Sequence, residues 1–398
     1  MIAVIEIKNS FGFAFVDVTT NHFYLGEFED DENKRMMRTL ISRFKPVEVI
    51  YFGLTQDTIA LLKHSSAKPT FSKIRHELET LEDIFKKMDQ YFTNEKNVGK
   101  METEEYQDYI KPPGIILEMK KAVLQYLGEK PDSKEDKCPF FLSLQATNLC
   151  LVYLQQILLD KTVFLMGNFE LYDINSEKAF NLFMDSQCLY NLELLECSYQ
   201  SKVFKKYTLF DYMDKTKSPF GKRMLEKWMI SPLKDIDMIN ERLDAIEDLI
   251  KMPDVADYCQ EELGKLPDIE RKLYRVCNFA HEKKLSADYF EYDYVNNRLK
   301  EFVGLLSDLK KTDEVVKIFA DYIKNLRSSR LKQLVTFKPI KESTNKKNKK
   351  MIEGLMPKMS EIIEEIEKMV IYIEGVPCPA PGIDQEYDAL LIQVYNKS

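Results

Sequence analysis

The sequence predicts an α+β chain of two domains, a first that alternates strands with helices and a second that is mostly helical. Two patterns indicate this fold class. From Ile2 to Phe52, short runs rich in β-branched and aromatic residues alternate with turn residues and one helical segment. After about Asp173, apolar residues recur three and four positions apart, which is the spacing of amphipathic helices.

The first domain begins with four predicted strands. They are expected at Ile2–Ile7, Gly12–Val18, His22–Phe28 and Val47–Phe52. Between the third and the fourth, Asn33–Phe44 carries apolar residues at helical spacing. Further on, an apolar run from Pro139 through Leu158 predicts one unbroken helix, and the polar stretch Thr93–Pro113 is expected to be a loop.

Two helices are predicted in the middle of the second part. Ser218 is a good N-cap, Pro219 suits a first turn, and Ser231-Pro232 stops the helix. Its apolar stripe is made by Phe220, Met224, Leu225, Trp228 and Met229, so we expect Trp228 to be buried. The next helix, which Pro253 ends, has an apolar stripe formed by Ile236, Ile239, Leu243, Ile246 and Ile250.

The rest of the second part is predicted to be helical with one interruption. The interruption is the short segment Met184–Leu195. A helix is expected to start at Pro267, and a long one that Ser286 caps is expected after it. Pro357–Glu374 reads as a single amphipathic helix with heptad-like spacing that ends at Gly375.

Composition limits the classes of function. The 398 residues are 44% hydrophobic and 31% charged, and no window of eighteen uninterrupted apolar residues indicates a membrane span. Seven cysteines without a Cys-x-x-Cys pair argue against a disulfide framework or a structural zinc site and favour an intracellular protein. The net charge of −8 predicts weak binding to DNA by this chain alone.

The order of residue types between Thr208 and Leu249 is the most specific feature of the sequence. The segment contains a Leu-x-x-x-Met-Asp-x-Thr run, a Gly-Lys-Arg helix start, a Trp-x-x-x-Pro-Leu helix end and an Ile-x-x-Arg-Leu-Asp-Ala-Ile helix. These runs lie at Leu209–Thr216, Gly221–Arg223, Trp228–Leu233 and Ile239–Ile246. Together with Gln187–Glu196 and the Leu-Pro-Asp-Ile-Glu-Arg run at Leu266–Arg271, they resemble the MutS family of DNA mismatch repair proteins. The branch that they resemble most is the eukaryotic MutS homologue 6 type.

This resemblance implies a domain assignment. Residues 1–172 would form the MutS connector, which has an RNase H-like fold, and residues 173–381 would form the helical lever. Residues 382–398 would begin the DNA-gripping clamp, because Gly382–Leu390 is similar to the family's entry into that domain.

The resemblance also implies a role without catalysis. The chain would be the central scaffold that couples mismatch-bound DNA to an ATPase domain, with the mismatch-binding and ATPase domains outside it. No Gly-x-x-x-x-Gly-Lys-(Ser/Thr) phosphate loop occurs in the sequence, so we expect no ATPase and no cofactor here, whereas the full-length family uses ATP and magnesium. The implied partners are double-stranded DNA with mismatches and a second MutS homologue, and the implied location is the nucleus, with no membrane association.

Three sharper hypotheses compete with this reading. A nuclease would need converging carboxylates, and Asp17 with Glu48 and Glu6 are the candidates, although Asp17 is better explained as a strand-end turn residue. Surface or structural roles are favoured for His22 and His64 over general-base roles. The lysines that could contact a DNA backbone or act as a localisation signal are Lys346, Lys347, Lys349 and Lys350, with Lys202, Lys205 and Lys206 as a second patch. Solvated loops are the more common use of such runs.

An alternative of a different class is a stand-alone helical adaptor that binds proteins and neither DNA nor ATP. The flanking genomic reading frame distinguishes the two, because a phosphate loop downstream and a Phe-x-Glu wedge upstream would belong to a mismatch repair ATPase.

Overall fold

A computed structural model of the chain describes residues 1–63, 69–74, 77–92, 112–128, 138–173, 180–197, 208–281, 292–338, 355–373, 376–383 and 388–389. The chain forms two compact units. The first consists of Met1–Met213, Glu226–Pro232 and Ala280–Glu282. The second consists of Asp214–Leu225, Leu233–Phe279 and Lys283–Ser398. None of the described helices is both long and apolar enough to cross a bilayer.

A mixed six-stranded sheet is the centre of the first unit. Its strands are β1 (Ile2–Ile7), β2 (Ser10–Asp17), β3 (His22–Glu29), β4 (Glu48–Phe52), β5 (Thr70–Lys73) and β6 (Asn168–Leu171), in the order β5-β4-β1-β2-β3-β6. Strands β1, β2 and β3 are antiparallel, whereas β4 lies parallel to β1, β5 to β4, and β6 to β3. The three consecutive hairpin strands therefore have parallel strands on both sides.

Helices cover both faces of this sheet. The described helices that precede β6 in the sequence are α1 (Arg35–Phe44), α2 (Gln56–Lys63), α3 (Leu81–Phe92), α4 (Gly114–Gly128), α5 (Phe141–Gln156) and α6 (Asp160–Val163). Ile2 and Val4 of β1 point into a core with α1 and α2, while Ala3 and Ile5 point into a core with α3, α4 and α5. Both sets are fully buried, because alternate side chains of a strand face opposite sides and each side is covered.

Backbone and side-chain contacts fix the start of α5 against the hairpin. A Cβ atom added to Gly12 would lie 2.1 Å from the carbonyl oxygen of Leu142, so only glycine permits this approach. The Glu27 carboxylate accepts hydrogen bonds from the backbone N–H groups of Phe140 and Leu142 at 2.9 Å and of Ser143 at 3.2 Å. An acidic side chain from β3 therefore caps the amino end of α5.

The strand and helix predictions for the described part of the first domain are confirmed. The structure has every predicted strand and the helix before β4, with ends that differ by two residues at most. The helix expected from Pro139 through Leu158 is α5, which begins at Phe141 and ends at Gln156. Leu158 has a left-handed backbone with φ of 59° and is 85% exposed, so this turn ends the helix. The predicted loop Thr93–Pro113 falls largely outside the described residues.

The remaining elements are mainly helices. They are α7 (Ser186–Asn191), α8 (Leu209–Met213), α9 (Pro219–Ile230), α10 (Ile236–Ile250), α11 (Pro253–Gly264), α12 (Ile269–His281), α13 (Tyr292–Lys317), α14 (Ser329–Leu334) and α15 (Met359–Glu367), with a 3-10 turn at Ile323–Asn325. Four short strands form two pairs, β7 (Phe337–Lys338) with β8 (Met356–Pro357) and β9 (Val370–Ile373) with β10 (Val376–Pro379). Helices α10, α11 and α14 surround a small apolar core that contains Val255, Phe319 and Leu331.

Two predictions for this part are wrong. The single helix expected at Pro357–Glu374 is α15 followed by β9, because Val370-Ile-Tyr-Ile is a β-branched and aromatic run that pairs with β10. The segment Met184–Leu195, expected to interrupt the helices, contains α7 itself. Asp185 caps that helix by accepting a hydrogen bond from the N–H of Cys188 at 2.8 Å.

Candidate functional site

The motif residues before α9 form a preorganised turn. One oxygen of Asp214 accepts hydrogen bonds from the backbone N–H of Thr216 at 3.1 Å and from its hydroxyl at 2.6 Å. The other oxygen lies 3.0 Å from the ammonium of Lys222. The hydrogen bond from Thr216, followed by that from Lys222, holds the pKa of Asp214 below its usual value. The carboxylate therefore stays ionised and fixes the approach of the chain to the helix.

A serine and a glycine complete the start of α9. The hydroxyl of Ser218 accepts a hydrogen bond from the N–H of Gly221 at 3.2 Å, as predicted for an N-cap. A Cβ atom added to Gly221 would lie 2.8 Å from that hydroxyl oxygen. The glycine of the Gly-Lys-Arg motif thus leaves room for the capping serine.

The arginine of the same motif binds the start of α12. The two terminal nitrogens of Arg223 each lie 2.7 Å from an oxygen of Asp268, and one of them also lies 2.5 Å from Glu270. The hydrogen bond from Arg223 lowers the pKa of Asp268, and the hydrogen bond to Asp268 raises the pKa of Arg223. We call this group of three residues the Arg223 clamp. It joins two sequence motifs that lie 45 positions apart, in the parallel geometry that makes guanidinium–carboxylate pairs strong.

The clamp and the turn suit a mechanical joint better than a reaction centre. Each charged group in them has an opposite charge or a hydrogen-bond donor within 3.1 Å. A catalytic centre needs a group poised to exchange a proton or attack a substrate, and these groups are already paired. What the arrangement can do is hold two helices at a fixed angle.

Sequence reasoning missed a second junction, at Asp248 of α10. This carboxylate is 4% exposed and accepts hydrogen bonds from the backbone N–H groups of Arg327 at 2.7 Å and Ser328 at 2.8 Å. Ser328 in turn caps α14 by accepting from the N–H of Leu331 at 3.1 Å. A signal for its burial was available in the sequence, because Asp248 shares a helical face with Ala245 and Leu249, which pack against the core.

The expectation that the apolar stripe of α10 faces the core is wrong. Four residues of the predicted core stripe are more than half exposed, namely Ile236, Leu243, Ile246 and Ile250. The face with Ala245, Asp248 and Leu249 points inward instead. Periodicity located the helix and its apolar stripe, but it does not say which face the domain core covers.

Trp228 is also misplaced by the sequence reasoning. It is 45% exposed rather than buried, and Met224 of the same stripe is 51% exposed. The buried residue in this turn is Ile230, which is 8% exposed and lies about 200° around the helix from Trp228. The neighbouring Lys227 donates a hydrogen bond to the hydroxyl of Tyr24 at 3.2 Å. This end of α9 contacts the sheet of the first unit through a side chain other than the tryptophan.

The three carboxylates considered for a nuclease have separate structural partners. Glu6 pairs with the ammonium of Lys34 at 3.0 Å and accepts a hydrogen bond from the hydroxyl of Thr58 at 3.2 Å. Asp17 accepts hydrogen bonds from the backbone and hydroxyl of Thr19 at 2.9 and 2.7 Å, which confirms it as a turn residue. Glu48 accepts from the hydroxyls of Ser72 at 2.5 Å and Tyr153 at 2.6 Å, and this last bond raises the pKa of Tyr153 to about 12. Among the described residues, no group of three His, Cys, Asp or Glu side chains is placed to hold a metal ion.

The other candidates are either paired or beyond the described part of the chain. His22 lies 3.1 Å from Glu170 and stacks on Tyr24 with ring centres 4.4 Å apart. His64 and the lysines of both basic patches fall outside the described residues; those lysines are Lys202, Lys205, Lys206, Lys346, Lys347, Lys349 and Lys350. The proposed contacts of these lysines with DNA stay a prediction.

Comparison with known proteins decides the family. The sequence model described as MutS domain II matches residues 1–163, and the one described as MutS domain III matches residues 187–376. The chain belongs to the MutS family. Strands β1 to β5 and helices α1 to α6 therefore lie in the domain II match, and β6 follows it. The Arg223 clamp and Asp248 lie in the domain III match.

Several curated MutS relatives match nearly all of this chain. DNA mismatch repair protein Msh6 of Gallus gallus is 28% identical over 96% of the chain and 29% of its own length. The protein of the same name from Homo sapiens is 27% identical over 97% of the chain and 29% of its length. DNA mismatch repair protein Msh3 of Homo sapiens is 26% identical over 90% of the chain. The chain thus spans less than a third of the length of the Msh6 relatives and corresponds to domains II and III.

Proposed function

We propose that this chain is the connector and lever portion of a MutS-type mismatch repair protein, and that it couples mismatch-bound DNA to an ATPase domain. The Arg223 clamp is the observation that carries the proposal. A bidentate pair between two helix starts, 2.7 Å at both contacts, lets the helices move as one rigid body. A lever needs such rigidity, because packed elements transmit motion by switching between discrete arrangements.

The finer assignments belong to the same proposal. The first domain is an RNase H-like connector, supported by the three antiparallel strands with parallel strands at their sides. Mismatched double-stranded DNA is bound through the complete protein, which pairs with a second MutS homologue and works in the nucleus. ATP and magnesium belong to an ATPase domain that this stretch does not supply. The names of the Msh6 and Msh3 relatives support these roles at the level of the family.

A mutation-rate measurement in the source organism tests the role. Disrupting the gene should raise the frequency of base substitutions and single-base frameshifts at a reporter locus. A normal mutation frequency after disruption would reject a mismatch repair function and leave the protein-binding adaptor as the better account.

Two arginine variants test the coupling within that role. Arg223→Met in the chromosomal gene should raise the mutation frequency, because it removes the clamp from both carboxylates. Arg271→Met is the matched control. Arg271 is half exposed, and its side-chain Nε lies 3.7 Å from an oxygen of Asp268, which is too far for a hydrogen bond. Equal repair in both variants, at equal protein abundance, would reject the clamp as the carrier of coupling.

A further inference from the structure

A buried polar cluster lies at the carboxyl end of β1, away from the motif junctions. The ammonium of Lys34 is 3.0 Å from one carboxylate oxygen of Glu6 and 3.2 Å from the side-chain oxygen of Asn9. The hydroxyl of Thr58 donates to the same Glu6 oxygen at 3.2 Å. Glu6 and Lys34 are each only 6% exposed. The second oxygen of Glu6 is buried and has no hydrogen-bond partner.

Lys34 occupies this place against three local preferences. Its φ of 53° and ψ of 41° lie in the left-handed region, which residues other than glycine, asparagine and aspartate rarely adopt. It immediately precedes α1, where the positive end of the helix dipole disfavours a cation. Its charge is buried, and burial of an ammonium is unfavourable without full pairing. Strain of this kind at a buried charged residue indicates a specific use of the residue.

We propose that Glu6, Asn9 and Thr58 form a cation-binding site whose occupant is the ammonium of Lys34. These three residues contribute side-chain oxygens around the ammonium of Lys34, and the second carboxylate oxygen of Glu6 has no hydrogen-bond partner. Strands β1 and β4 are parallel, and Gly53 directly follows β4 beside Glu6. The site therefore lies at the carboxyl ends of two parallel strands, where sheets of this type generally place their ligands.

The distances and the charge define the class of ligand. Oxygens at 3.0 and 3.2 Å suit an ammonium, whereas magnesium requires oxygens at about 2.0–2.1 Å in an octahedron. One carboxylate balances one positive charge. The ring of Phe11, with its centre 5.1 Å from the ammonium, is a further contact suited to a cation. We therefore expect the site, once the side chain of Lys34 is removed, to accept a primary ammonium in preference to a cation without N–H donors. This inference is independent of the proposed function.

Chemical rescue of a Lys34→Gly variant tests the site. Glycine adopts the left-handed backbone without strain, so the substitution removes the ammonium while relieving the local conformation. Methylammonium chloride at about 0.1 M should raise the thermal unfolding midpoint of Lys34→Gly by at least about 2 °C more than tetramethylammonium chloride does, since binding to the folded state stabilises it. Tetramethylammonium has the same charge but no N–H donors. The wild-type chain and the double variant Glu6→Gln/Lys34→Gly should respond equally to both salts.

Each result decides the proposal. A saturable response to methylammonium that needs Glu6 supports the site, and equal responses to the two salts overturn it. If Lys34→Gly does not fold in plain buffer, recovery of cooperative unfolding on addition of methylammonium is measured instead. Absence of that recovery, or the same recovery with tetramethylammonium, also overturns the proposal.

Discussion

Charged side chains in this protein act mainly as connectors between elements. Arg223, Asp248 and Glu27 each bind groups at the start of another helix. A hydrogen bond to an ionised group stabilises more than a neutral one, because the charge strengthens it and the free helix N–H groups need acceptors. Single residues therefore set how neighbouring elements are placed.

The Arg223–Asp268 pair should show measurable coupling. In a double-mutant cycle with Arg223→Met and Asp268→Asn, we expect a coupling free energy of about 1 kcal/mol, since the pair is bidentate but partly solvated. Chemical denaturation of the four chains measures it. Arg271→Met combined with Asp268→Asn is the control and should give about zero, and coupling of the same size there would contradict the special role of Arg223.

Trp228 should behave as a surface residue. It is 45% exposed, so its fluorescence in the folded chain should be red-shifted and quenched by iodide. Trp228→Ala should lower the free energy of unfolding by less than about 1 kcal/mol, well below the cost of removing a core aromatic residue. A blue-shifted, iodide-resistant emission would mean that this face of α9 is covered.

At the scale of elements, helix α10 shows what periodicity can and cannot tell. The stripe of Ile236, Leu243, Ile246 and Ile250 identified the helix and its ends correctly, but it faces outward. Strand β1 was predicted well because both of its faces are buried, so no choice of face was needed. Periodicity alone did not reveal the Arg223 clamp or the partners of Asp248, since each depends on a contact between residues far apart in sequence.

Paired substitutions on α10 test its orientation. Leu249→Gln should lower the free energy of unfolding by about 1–3 kcal/mol, because Leu249 packs against the apolar core of its unit. Ile246→Gln makes the same kind of change three positions away on the exposed face and should cost less than about 0.5 kcal/mol. Urea denaturation of both variants gives the comparison, and a reversed order would mean that the stripe faces inward.

The start of α15 depends on one buried carboxylate from α13. Asp313 is 1% exposed and accepts hydrogen bonds from the N–H groups of Met359 at 3.0 Å and Ser360 at 2.7 Å. Asp313→Ala should cost about 2–3 kcal/mol, because it leaves two helix donors without an acceptor. Hydrogen exchange at Met359 and Ser360 should accelerate as well. The exposed neighbour Glu314 provides the control, and a similar loss in Glu314→Ala would contradict the capping explanation.

At the scale of the whole molecule, charge and exposed surface limit what this chain does alone. The net charge of −8 opposes binding to DNA, and the wide apolar face of α10 is open. The MutS relatives that the chain matches are named DNA mismatch repair proteins. The relatives that it matches are more than three times as long as the stretch it shares with them.

Binding of DNA by this chain should accordingly be weak, blind to mismatches and sensitive to salt. A gel-shift assay with matched and mismatched duplexes at about 50 and 200 mM salt should show little binding at the lower concentration and none at the higher. Charge reversal of Lys346, Lys347, Lys349 and Lys350 should remove the residual binding. A preference for the mismatched duplex that survives the higher salt would show that this chain reads mismatches itself.

The path of the chain between its two units has a consequence for its biosynthesis. The first unit needs Glu226–Pro232 in addition to Met1–Met213, and the chain passes through part of the second unit before it reaches those residues. Ile230 is buried, and Leu182 donates a backbone hydrogen bond to Pro232 at 2.8 Å. A nascent chain released from the ribosome at Met213 would therefore leave the first unit incomplete. Because translation adds about 5–20 residues per second, roughly one to four seconds pass between the synthesis of Met213 and that of Pro232, and Ala280–Glu282 of the same unit follows later still.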